Sequence, residues 1–278
     1  MEQSTGIDVV QYLEAWPGLE PAVVQLRAGA RDAAKADLRR VSAAASSDGA
    51  LNLLAQLERE DANLDDSESL IGKAIASNPK QHLHHFQQAM VFFARLSRAS
   101  GLNRWSWHRK TRDAYQRAFD LDPRPVPYRY YLVYTFLQSP GIAGGDKDKA
   151  LRMAQEGVDR AQKEFYVVRA DVHRLRGDQA PAFSDYDRAI AERTFKLNSF
   201  LAAGQLALQK KAPDRARRYF DWAVSCRPDS ARTHEGLGDY YAAVGDARSA
   251  VAAYEAALRT DPHHAPARDK LAKLGYVK

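Results

Sequence analysis

A single cysteine, Cys226, occurs in the 278 residues, so no disulfide can close within the chain and no cysteine-rich metal site can form. Long apolar runs are missing too: nothing approaches the roughly 20 residues that a bilayer-spanning helix needs, and no membrane insertion is expected. The opening stretch 1–10 is polar and acidic, without the basic start and apolar core of a leader. The chain as given therefore reads as cytoplasmic, or as periplasmic had a leader been removed. The excess of basic over acidic residues is small as well. The net +6 leaves anionic partners open but is thin over this length.

Recognisable chemistry is equally sparse. The glycines of 141–145 lack a Gly-Lys-Ser/Thr ending and a preceding strand, which excludes a phosphate loop. No Ser-His-Asp, Cys-His or paired-carboxylate spacing stands out, so no catalytic residue and no cofactor is assigned. In His82-Leu83-His84-His85 only His82 and His85 share a helix face, and no carboxylate completes a tetrahedral set, so no metal is assigned. His263 and His264 follow a helix-ending Pro262 and are expected to be exposed. Cys226 has no His at helical spacing and reads as a packed thiol.

What the chain does have is periodicity. From Ala231 to His264 two apolar-periodic runs flank Gly245-Asp246, with Leu237, Gly238 and Tyr241 on the first and Ala250, Tyr254 and Ala257 on the second. Pro262 closes the second run, and Asp246 is placed to cap its start. Small Gly238, Ala250 and Ala257 allow two antiparallel helices to approach closely, with the tyrosines filling the volume beside them. Ala216, Phe220, Ala223 and Pro228 stand in the same register one step back, with Gly204 in the place of Gly238. A further step gives Ala182, Tyr186 and Ala189, although Thr194 replaces the closing proline.

This pattern closely resembles the tetratricopeptide repeat (TPR), whose period is 34 residues. The resemblance extends toward the N terminus through Ala150, then Tyr115-Ala118-Pro123, then Ile71-Ala74-Pro79. The turn Pro140-Gly141-Ile142-Ala143-Gly144-Gly145-Asp146-Lys147 is also similar to a group of bacterial TPR proteins. It implies an all-α, right-handed superhelix, an α-solenoid of antiparallel helix pairs. Three segments are expected: 1–47, a helical segment with a degenerate hairpin; 48–264, about six hairpins, two of them with elongated turns at 96–109 and 139–145; and 265–278, a capping helix.

The resemblance also implies a function: a non-enzymatic scaffold or adaptor that binds a peptide, helix or partner protein in the groove lined by each hairpin's first helix. By register the groove residues are Leu83, Phe86, Met90, Phe93, Tyr130, Tyr134, Leu137, Asp171, Arg174, Leu201, Gln205 and Leu208, an aromatic middle followed by a more polar end. Inserted turns folding over this face would instead make it core. Aromatic surface left exposed would mark an interface, a homo-oligomer included. Met90, Tyr134, Asp171, Gln205 and Asp239 stand where chaperone-binding TPR domains carry an Asn, which counts against a carboxylate clamp for a chaperone tail. A second reading places nucleic acid or another polyanion on the basic turn 95–112, through Arg104, Trp105, Trp107, Arg109 and Lys110. No second basic stripe continues it in register, and a solvated turn pinned by its tryptophans is the plainer account. Lys210, Lys211, Arg215, Arg217 and Arg218 are assigned to a solvated face.

Overall fold

The computed structural model describes residues 15–45 and 47–276. The opening 1–10 stretch, residue 46 and the last two residues of the 265–278 segment lie outside the described residues. The described chain is all-helical, with 15 α-helices, two short 3₁₀ turns and no strand. It divides into two compact units, 1–150 and 151–278.

The first unit holds α1 (Glu20–Arg27), α2 (Arg31–Ala45), α3 (Asp48–Glu60), α4 (Leu64–Ser77), α5 (His82–Arg98), α6 (Gly101–Leu121) and α7 (Val126–Gln138). Each packs on the next in chain order. The division falls within α8 (Lys147–Asp159). The second unit continues with α9 (Phe165–Arg176), α10 (Gln179–Ala191), α11 (Leu197–Gln209), α12 (Pro213–Cys226), α13 (Ala231–Ala243), α14 (Ala247–Thr260) and α15 (Ala265–Lys273).

Local chemistry explains the hairpins. Asp246 caps α14 by accepting from the Ser249 amide at 3.0 Å. Gly177, Lys211 and Gly245 hold left-handed φ of +91°, +54° and +82°, and each sits at the turn inside its hairpin. The following amides return to the first helix, Asp178 to His173 O, Ala212 to Ala207 O and Asp246 to Tyr241 O, each at 2.9 Å. The same bond thus recurs in three successive repeats. Close approach is equally regular: a Cβ on Gly204 would lie 2.4 Å from the Phe220 ring, and one on Gly238 2.4 Å from Tyr254. Around these contacts Tyr186, Phe200, Tyr219 and Phe220 fill the second unit's core against Ala170, Ala182, Ala203 and Ala216. Burying one such ring contributes about 1.5–3 kcal/mol.

One expectation is corrected. The elongated turn at 96–109 is not a turn: α5 runs on to Arg98 and α6 begins at Gly101, leaving Ala99 and Ser100 between them. Nothing from 94 to 110 breaks a helix except Gly101, whose φ of +57° serves the turn. The extra residues lengthen both helices instead. Phe92 and Trp107 pack at 5.6 Å between ring centroids and hold the extension together.

Candidate functional site

In the first unit the expected aromatic groove is interior. Leu83, Phe86, Met90, Tyr134 and Leu137 are buried, Phe86 to 2% exposure. The Phe86 ring lies 4.7 Å from Tyr128, 5.7 Å from Tyr115 and 5.8 Å from Tyr131, and the Tyr115 hydroxyl bonds Met90 Sδ at 3.1 Å. Rings from α6 and α7, not a folded-back turn, occupy the space in front of α5. Tyr130 is half-buried against Tyr131 and Tyr134, and only Phe93, at 49%, is openly exposed. These large rings need volume, and the next hairpin supplies it. Leu83, Phe86, Met90, Tyr134 and Leu137 are therefore core rather than groove surface.

The second unit keeps a partly open first-helix face, and its polar residues are held by one another. Asp171, 3% exposed, accepts from Tyr186 Oη and Ser199 Oγ, both at 2.6 Å. Arg174 Nε donates to the Tyr186 hydroxyl at 3.1 Å. Lys196 stands beside this group; burial, offset in part by the Asp171 charge, pushes its amine down to about 8. Asp239 accepts from Tyr254 Oη at 2.9 Å, from Gln205 Nε2 at 2.7 Å and from Lys270 Nζ at 2.6 Å. Arg232 Nη1 reaches Asn198 Oδ1 at 2.7 Å.

The register explains this ladder. Gln205 and Asp239 are separated by 34 positions, as are Asn198 and Arg232, so each bond joins equivalent places in adjacent repeats. Where the second helix carries Tyr186 or Tyr254, the first carries Asp171 or Asp239 opposite its hydroxyl. Where it carries Phe220, which has no hydroxyl, Gln205 stands in that place and bonds onward to Asp239. Leu201 and Leu208 lie on the same stripe of α11 as Asn198 and Gln205, half-buried and packed at the edge of the core.

The remaining candidates find separate partners. His82 lies 2.7 Å from the Tyr128 hydroxyl, His84 3.1 Å from Asp48 Oδ2 and 2.6 Å from Asn52 Nδ2, and His85 2.9 Å from Pro79 O. Trp16 stacks on His84 at 5.4 Å and donates to Asp48 at 3.1 Å. Sequence reasoning missed this cluster, whose members come from distant places in the chain. No group of three or more His, Cys, Asp or Glu that could hold a metal occurs among the described residues. His264, expected to be exposed, is half-buried and 2.8 Å from Glu235. Burial raises the Cys226 thiol above its ordinary value. Arg215 and Arg218 pair with Asp187, and Arg217 with Asp221.

The basic tryptophan segment is helical surface, not a turn. Arg104, Trp105, Arg109 and Lys110 are exposed, whereas Trp107 is half-buried: Lys110 Nζ lies 4.3 Å and the Arg95 guanidinium 5.4 Å from its ring centroid.

Helix hairpins repeated at a 34-residue register, tied through equivalent positions, define a TPR-type solenoid fold. The Tetratricopeptide repeat family model matches residues 231–264. Among solved structures, the chain is similar to a tetratricopeptide repeat protein from Parabacteroides merdae at 14% identity and a TM-score of 0.65, covering 95% of this chain and 98% of that one. PilW, a type IV pilus biogenesis factor, matches at 13% identity and a TM-score of 0.63, over 81% of this chain and 98% of its own. The C-terminal part of a TPR repeat-containing protein from Cytophaga hutchinsonii matches at 15% and 0.58, over 91% and 99%. No curated protein matches the chain in sequence. The chain thus has the tetratricopeptide-repeat solenoid fold, and its residues 231–264 match the repeat's family model.

Proposed function

We propose that the chain is a non-enzymatic scaffold that holds a peptide, helix or partner protein against the first-helix face of its second unit, along α11 and α13. TPR folds generally mediate protein–protein interactions. The observation that carries it is the ladder of partly exposed polar groups, Asn198 to Arg232 and Gln205 to Asp239, beside half-buried Leu201 and Leu208. Side chains already fixed by one another lose little further freedom when a partner arrives, and the leucines supply apolar area.

The test is capture from native extract with a photo-crosslinker at position 205, comparing the parent with an Asn198→Arg, Leu208→Arg variant shown to melt with it. A protein crosslinked by the parent is expected to drop at least about tenfold in the variant, the scale of losing one or two interface anchors. Equal capture by both would overturn this placement.

A further inference from the structure

The end of the α5–α6 hairpin, in the first unit, joins exposed apolar side chains to uncompensated positive charge. Leu102 is 74% exposed and Trp105 38%. With Arg109 they are spaced i, i+3 and i+7, forming one exposed stripe of α6 beside the face that buries His108, Thr111 and Tyr115. The sequence has no Asp or Glu from 69 to 112. Arg104, Arg109 and Lys110 form no ion pair among the described residues, whereas neighbouring Arg95 is engaged by Asp65 and Glu68.

Two polyanions could answer such a charge, and the rings decide between them. Binding single-stranded nucleic acid relies on open aromatic faces on which bases stack. Here Trp107 is half-buried, with Lys110 and Arg95 over its ring and Phe92 beside it, so it offers no free face for stacking. What projects is an aliphatic Leu102 with one Trp105 beside it. Aliphatic and tryptophan side chains set among Arg and Lys are what a bilayer interface takes up: the ring and leucine enter the headgroup layer while the cations meet lipid phosphates. A hollow of about 410 Å³ beside the tip is lined by Arg95, Arg98, Ser100 and Asn103, and also by Asp65, which Arg95 engages. No described helix is long and apolar enough to cross a membrane, so the contact is peripheral.

We propose that this hairpin end docks on a bilayer surface carrying anionic lipid, with Leu102 and Trp105 inserted among the headgroups and Arg104 and Arg109 against the phosphates. The test is flotation of the full chain with phosphatidylcholine vesicles, with and without phosphatidylserine. Two variants with parental melting curves are compared, Leu102→Ser with Trp105→Ser, and Arg104→Ser with Arg109→Ser. Flotation is expected only with phosphatidylserine, and each variant is expected to lose at least about tenfold in vesicle affinity. No flotation, or flotation that the Leu102/Trp105 variant leaves intact, would overturn the proposal. So would a mixed-sequence single-stranded oligonucleotide that binds the parent more tightly than the vesicles do, which would give the surface to nucleic acid. None of these residues belongs to the face proposed for protein binding, so the two readings fail independently.

Discussion

At the scale of single residues, the three hairpin turns at positions 177, 211 and 245 do the same work with unequal means. Glycine adopts left-handed φ at no steric cost, but Lys211 carries a Cβ into that region. Its backbone amide makes the turn bond to Leu208 O, and its side chain is exposed, so nothing in the fold depends on the lysine itself. Lys211→Gly is expected to stabilise the chain by roughly 0.5–1 kcal/mol, seen as a higher melting temperature. An unchanged or lower value would mean that the lysine side chain contributes a contact. Much at this scale was legible in sequence: Asp246 reads as a cap and is one, because capping depends only on neighbours in the chain. The fate of Phe86 was not legible. A ring facing an open groove and a ring facing the next hairpin leave the same apolar mark on α5.

Among elements, α15 shows how the array ends. Its Ala267 and Leu271 cover the last hairpin's apolar face, and Lys270 reaches Glu235 Oε1 and Asp239 Oδ1, both at 2.6 Å. Burial opposes the charge, yet the two carboxylates hold the Lys270 amine above its ordinary value, so it stays protonated. Lys270→Ala removes a charge-assisted latch and is expected to cost about 1–2 kcal/mol. Hydrogen exchange should then quicken across α15 first; uniform protection would show that the apolar contacts alone hold it. The cap was readable from its amphipathic pattern, the latch was not, since its partners stand 35 and 31 positions away. The α5–α6 hairpin was misread for a different reason. A fixed repeat length assigns surplus residues to a turn, although residues without a breaker can equally lengthen the helices.

On the scale of the whole molecule, acid acts on the first unit through His82, His84, His85 and His108. Burial lowers all four below the ordinary histidine value of 6.5, against the pull of Asp48 on His84 and of Asp122 on His82. Between that value and their folded values the unfolded chain binds more protons than the folded one. Stability is therefore held above pH 6.5 and falls as the pH drops below it. His84, fully enclosed between Trp16, Asn52 and Asp48, is the strongest case. The melting temperature is expected to decline on acidification from about 7 to about 5, by up to roughly 1.4 kcal/mol per pH unit for each histidine that titrates. His84→Gln should flatten that slope, and an unaltered slope would remove His84 from the account. The TPR register was plain because helix packing repeats its demands every 34 residues. Charge and burial at one histidine depend on residues that no periodicity links.

The alternation along the second unit's inner rungs, aspartate, glutamine, aspartate, also bears on how such a gene can change. Repeats invite slippage, and loss of residues 197–230 would keep the helical register intact. It would set Asp171 and Asp239 on adjacent rungs, two carboxylates facing each other where the Gln205 amide now stands between them. The middle repeat is therefore an insulator as well as a spacer, and the order of the repeats is written in their charges.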